Sequence, residues 1–235
     1  MNKLLSTLFT LAVACVTLTA HAQAPAASAP KAEAPAAAGA KSIEAKTAMC
    51  MGCHNIRGYQ ASFPEVYKVP MISGQSAKYI AAALHEYQKG DRKHPTMRAI
   101  ATSLSDQDIN DIAAHYEAMG KEAGAAALPD QPTKQPDPQV AALLQKAACV
   151  SCHGSNFSKP IDPSYPKIAG QHRDYLFVAL KAYKTENNPA VGRSNGVMGA
   201  IAKQFSNAEL KALAGYVGSL DGDLKVVPES RFHGY

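Results

Sequence analysis

Two copies of Cys-x-x-Cys-His constrain this chain more than any other feature: Cys50-Met51-Gly52-Cys53-His54 and Cys149-Val150-Ser151-Cys152-His153. Two thiols at this spacing can each form a thioether with a vinyl group of one haem, and the adjacent histidine then lies under the iron. This is the signature of c-type haem attachment. Cys-x-x-Cys alone is shared with redox and zinc motifs, and the following histidine is what makes the pattern specific. With 5 Cys and 8 His in 235 residues, composition alone gives about 0.004 copies per chain. The expectation is two covalently bound haem c groups, held by Cys50, Cys53, Cys149 and Cys152, with His54 and His153 as iron ligands.

The remaining cysteine, Cys15, falls in an apolar run from Leu4 to Ala20 that follows a short basic start and ends at Ala20-His21-Ala22. This is the pattern of a secretory signal peptide, expected over 1–22. A retained anchor is the rival, but the run sits at the lower limit for spanning a bilayer. Lipidation at Cys15 would need a Leu three residues upstream, where Ala12 stands. After cleavage every cysteine belongs to a haem motif, as periplasmic haem attachment requires. The formal charge of +5, scattered basic residues and absence of Trp give no nucleic-acid surface.

The mature chain reads as an internal repeat. Pro70-Met71-Ile72-Ser73-Gly74-Gln75 matches Pro166-Lys167-Ile168-Ala169-Gly170-Gln171, Tyr79, Leu84 and Tyr87 match Tyr175, Leu180 and Tyr183, and Met97 matches Met198. The expected organisation is a disordered Ala/Pro-rich tether over 23–40, a first domain over 41–120, a linker over 121–137, a second domain over 138–225 and a tail over 226–235. Each domain is small enough to be marginal without a cofactor, and the haem supplies the missing apolar core. The pattern is all-α. Helical spacing joins Val140, Leu143, Leu144 and Ala147 ahead of the second motif, with Ile43 to Cys50 as a weaker counterpart. Ile109, Ile112, Ala113 and Tyr116 form one further face, matched by Leu210, Leu213, Ala214 and Val217. Ser206 with Glu209 forms a capping box, and Ser105 with Asp108 a looser one. No stretch alternates like a β-strand.

The order of helix, Cys-x-x-Cys-His, Pro-x-Ile-x-Gly-Gln, helix, Met loop and final helix resembles the class I c-type cytochromes. Two such domains in one exported chain resemble the dihaem cytochromes of the c4 type. The likeness runs from about Lys41 to Leu220. It implies two tandem class I cytochrome c domains, with Met97 and Met198 as sixth ligands from a loop before each final helix. His94 is a competitor in the first domain. The resemblance also implies that the carbonyls of Pro70 and Pro166 orient His54 and His153. It places Tyr79 and Tyr175 near the haem propionates, although a packed helix face explains those tyrosines equally well. The function it implies is periplasmic electron transfer, not enzyme catalysis. Electrons would pass from a quinol-oxidising complex or a dehydrogenase to a terminal oxidase or reductase, with possible association with membrane complexes. The rivals are a cytochrome subunit of a dehydrogenase and a dihaem peroxidase, which needs a vacant axial position.

Overall fold

Short helices with one apolar stripe must bury that stripe, and in this chain each repeat does so by folding its own helices on one another. In the computed structural model the described residues are 41–121 and 127–229. The expected signal peptide and tether, residues 122–126 of the linker and residues 230–235 of the tail lie outside them. The first repeat runs α1 (Ile43–His54), β1 (Gln60–Ala61), β2 (Tyr67–Lys68), α2 (Ala77–Lys89), β3 (Arg92–Lys93), α3 (Pro95–Ala101) and α4 (Asp106–Met119). The second runs α5 (Pro138–Lys146), α6 (Val150–His153), α7 (Arg173–Ala182), β4 (Gly192–Arg193), α8 (Gly196–Ala202) and α9 (Asn207–Val217). No helix among the described residues is long and apolar enough to cross a membrane.

The apolar faces behave as their periodicity dictates. Ile109, Ile112, Ala113 and Tyr116 of α4 are buried against Ile80 and Leu84 of α2. Leu210, Leu213, Ala214 and Val217 of α9 are buried in the same way against α5 and α7. Both final helices open on a complete capping box. Ser105 and Ser206 accept from the N–H groups of Asp108 and Glu209, whose carboxylates accept in return from the serine N–H. The Ser105 box is therefore as complete as its counterpart, because a shorter Asp still reaches back across one turn.

The first haem motif lies within the continuous helix α1, whereas the second is broken between α5 and α6, where Ala148 takes φ 48°. Two local expectations are corrected. Met97 and Met198 lie in short helices, not in loops. Pro95 stands at the first position of α3, and the side chains of His94 and Asn195 accept from the N–H groups of Met97 and Met198. The chain also holds two-residue strands, too short to show a period of two. One pair, β1 with β2, lies within the first repeat. The other, β3 with β4, joins the two repeats antiparallel, with Arg92 opposite Arg193.

The repeats are held together by reciprocal bonds from the Gly-Gln turns. The Gln75 side chain donates to the Lys167 carbonyl at 2.9 Å and accepts from the Lys167 N–H at 3.0 Å. Gln171 donates to the Met71 carbonyl at 2.9 Å and accepts from the Met71 N–H at 3.0 Å. Both amides are nearly inaccessible, at 3% and 4% exposure. The described part of the linker is moored to the second repeat, with Lys134 donating to the Ser219 carbonyl and accepting from the Tyr216 hydroxyl. Removing a buried amide leaves its partners unpaired at a cost of about 1–3 kcal/mol. Gln171→Ala should lower the unfolding free energy of the holoprotein by that order, and a value equal to wild type would show that the repeats are joined by other contacts.

The glycines before these glutamines have a conformational reason. Gly74 and Gly170 take φ 85° and 71°, and a Cβ would stand 2.7 Å from the Asp223 carbonyl oxygen or 3.0 Å from that of Leu220. A β-branched residue there costs on the order of 1–3 kcal/mol. Gly170→Val should therefore lower the melting temperature well below that of Lys211→Ala, an exposed position on α9. Equal melting temperatures would contradict the backbone requirement. Lys181, by contrast, pairs with Glu65 of the other repeat.

Candidate haem sites

The helices of both repeats surround one connected cavity of about 720 Å³. All four motif cysteines line it, with His54, His153, Met97 and Met198, and so do Pro70, Pro166, Tyr79 and Tyr175. The structure thus brings every sequence-predicted site residue to one cavity wall. His94 lines it as well, while His172, the N-cap residue of α7, does not.

Each histidine is oriented for ligation. Nδ1 of His54 lies 2.8 Å from the Pro70 carbonyl oxygen, and Nδ1 of His153 lies 3.1 Å from that of Pro166. A carbonyl only accepts, so Nδ1 carries the proton and Nε2 keeps its lone pair for a metal. Burial lowers the pKa of both rings, against the opposing effect of the proline carbonyls. The neutral imidazole that a metal requires is thereby favoured.

The cysteines do not fit the rival chemistries of Cys-x-x-Cys. No disulfide joins any two of the four described cysteines. Burial pushes the Cys50 thiol up to about 11 and raises that of Cys149, the reverse of the low pKa that a redox thiolate needs. Among the described residues, no three His, Cys, Asp or Glu side chains converge as a metal cluster. Two thiols and one oriented imidazole facing an apolar cavity, twice over, fit a porphyrin with its own iron. Cys50, Cys53 and His54 would hold one, and Cys149, Cys152 and His153 the other.

Two residues on the cavity wall escaped the sequence reading. An Arg92 terminal nitrogen donates to the Tyr79 hydroxyl at 3.2 Å, and one of Arg193 donates to the Tyr175 hydroxyl at 3.0 Å. Each guanidinium also stacks near two rings, Tyr79 and Tyr87 for Arg92, Tyr175 and Tyr183 for Arg193. The tyrosines singled out beforehand therefore serve as arginine acceptors. The signal was present in the repeat, since each arginine precedes its matched methionine by the same interval.

A helical fold of two similar halves, each presenting Cys, Cys, His and Met to an apolar cavity, defines a two-domain class I c-type cytochrome. A family model described as Cytochrome c matches residues 36–119 and 139–221, and the chain belongs to this family. It is 28% identical over 232 residues to a cytochrome c4 of Pseudomonas aeruginosa, covering 94% of this chain and 100% of that one. It is 30% identical over 179 residues to a thiosulfate dehydrogenase electron acceptor of Stutzerimonas stutzeri, covering 72% of this chain and 79% of that one. The solved structure of Acidithiobacillus ferrooxidans cytochrome c4 matches with TM-score 0.53 and 26% identity, covering 74% of this chain and 99% of that one. The resemblance to dihaem cytochrome c4 thus extends from sequence to fold.

Proposed function

We propose that this is a periplasmic dihaem electron carrier whose haems are attached through Cys50, Cys53, Cys149 and Cys152. His54 with Met97 would hold one iron, and His153 with Met198 the other. The observation that carries the reading is the matched set of thiols, Nε2-free histidine and methionine lining the cavity in each half. The group supplies reversible one-electron chemistry at iron when bound. The chain's own residues do the rest. Pro70 and Pro166 fix the imidazole tautomers. Ile80, Leu84, Leu176 and Leu213 keep water from the site. The Met97 and Met198 thioethers as ligands would favour the ferrous state and raise the potential. A histidine and a methionine for each iron would leave no ligand place for a substrate, which argues for transfer and against turnover.

Exposed apolar side chains at the cavity rim support docking of redox partners. Met49 and Phe63 belong to the first half, and Tyr165 and Val197 to the second, with exposures between 41% and 65%. The donor is proposed to be a quinol-oxidising complex or dehydrogenase, and the acceptor a terminal oxidase or reductase. The likeness to a thiosulfate dehydrogenase electron acceptor favours one second reading, a dedicated partner of a dehydrogenase. Co-purification with a catalytic subunit would distinguish it. The test of the main reading is the ferric spectrum. Two low-spin haems that do not turn over peroxide are expected, whereas a high-spin band with peroxide turnover would replace this reading by the peroxidase one.

A further inference from the structure

The two arginines on the cavity wall are equivalent by the repeat but not by their surroundings. Nε of Arg92 donates to the Glu86 carboxylate at 2.5 Å, and the Arg92 side chain is only 8% exposed. The position matching Glu86, one residue before the paired tyrosines Tyr87 and Tyr183, is occupied by Ala182 in the second repeat. Among the described residues, Arg193 forms no ion pair with a carboxylate. Its partners are the Tyr175 hydroxyl and two aromatic faces. Arginine stays charged at any working pH, so one guanidinium facing the cavity is neutralised by a fixed carboxylate and its twin is not.

The geometry points to Glu86 as the residue that sets the two haem potentials apart. A positive charge beside a redox group stabilises the reduced form, which carries one positive charge fewer, and raises its potential. Charges in a dry wall act more strongly than charges in water. Arg193 has no carboxylate of its own, while Glu86 cancels most of the charge of Arg92, so the wall contributed by the first repeat is the less positive of the two. The first haem is therefore the lower-potential one, and electrons on the reduced protein gather in the second repeat. Glu86 acts through Arg92 and does not itself need to touch the cofactor, so it is a tuning residue.

This inference rests on the haem reading above, and a redox titration of the holoprotein followed in the visible range separates the two. The waves are assigned by Met97→Ala, which should displace the one belonging to the first haem. Glu86→Gln keeps an acceptor for Arg92 but removes the charge. It should raise the lower wave more than the upper one and narrow the gap between the two. Arg193→Gln should narrow the gap from the other side by lowering the upper wave. Glu117→Gln, on an exposed pair with Lys121, controls for total charge and should leave the gap unchanged. If Glu86→Gln moves neither wave, or moves both as Glu117→Gln does, Glu86 is not the source of the asymmetry and the dihaem reading stands. If the protein shows no pair of one-electron waves, both fall.

Discussion

Met198→Ala should leave the second haem without its sulfur ligand and roughly halve the weak ferric charge-transfer band of methionine ligation, since only Met97 would remain. Met198 is the only methionine of the second repeat. His172, the sole other described histidine there besides His153, is held at the start of α7 away from the cavity wall. Among the described residues, no methionine or histidine of the second repeat other than Met198 and His153 lines the cavity. That iron should become five-coordinate or take water, its potential should fall, and cyanide should bind where it did not before. The first haem should keep its spectrum, because Met97 is fixed by its own short helix and by His94. An unchanged band and unchanged potentials would remove Met198 from the site and reopen the peroxidase reading for this half.

The double variant Cys149→Ser/Cys152→Ser should lose more than a cofactor. Leu144, Leu176, Leu180, Phe205, Leu213 and Val217 of the second repeat all line the cavity. Without the porphyrin their inner faces would meet water, and each such side chain is worth about 1.5–3 kcal/mol when buried. That sum is comparable with the whole stability of a small domain, about 5–15 kcal/mol. The second repeat should then be largely unfolded while the first keeps its haem. Circular dichroism should show a marked loss of helix, and limited proteolysis should cut after residue 127 and spare the first half. A single-haem protein with full helicity and protease resistance would mean that the helices pack without the group.

The residues that carry the chemistry were legible because they are local words. Cys-x-x-Cys-His fits within five positions. The buried faces of α4 and α9 follow the 3.6 period, and their capping boxes span one turn. The bonds that join the halves were not legible. Gln75 and Gln171 could be seen as a repeated Gly-Gln, but that each reaches the backbone of the opposite repeat depends on how the halves meet. The same holds for Arg92 and Arg193, which pair across β3 and β4 in strands too short for any periodic signal. The helices bearing Met97 and Met198 read as loops in the sequence although their start signals are present, Pro95 after His94 in one and Asn195 in the other. At seven residues each, they are too short for hydrophobic period to reveal.

The intact mass of the purified holoprotein, taken together with thiol labelling under denaturing conditions, tests the central claim most directly. The expected result is the mature polypeptide plus two haems and no reactive thiol, because all four of Cys50, Cys53, Cys149 and Cys152 should end in thioethers. A mass with one haem or none, or a thiol that takes up the label, would contradict it.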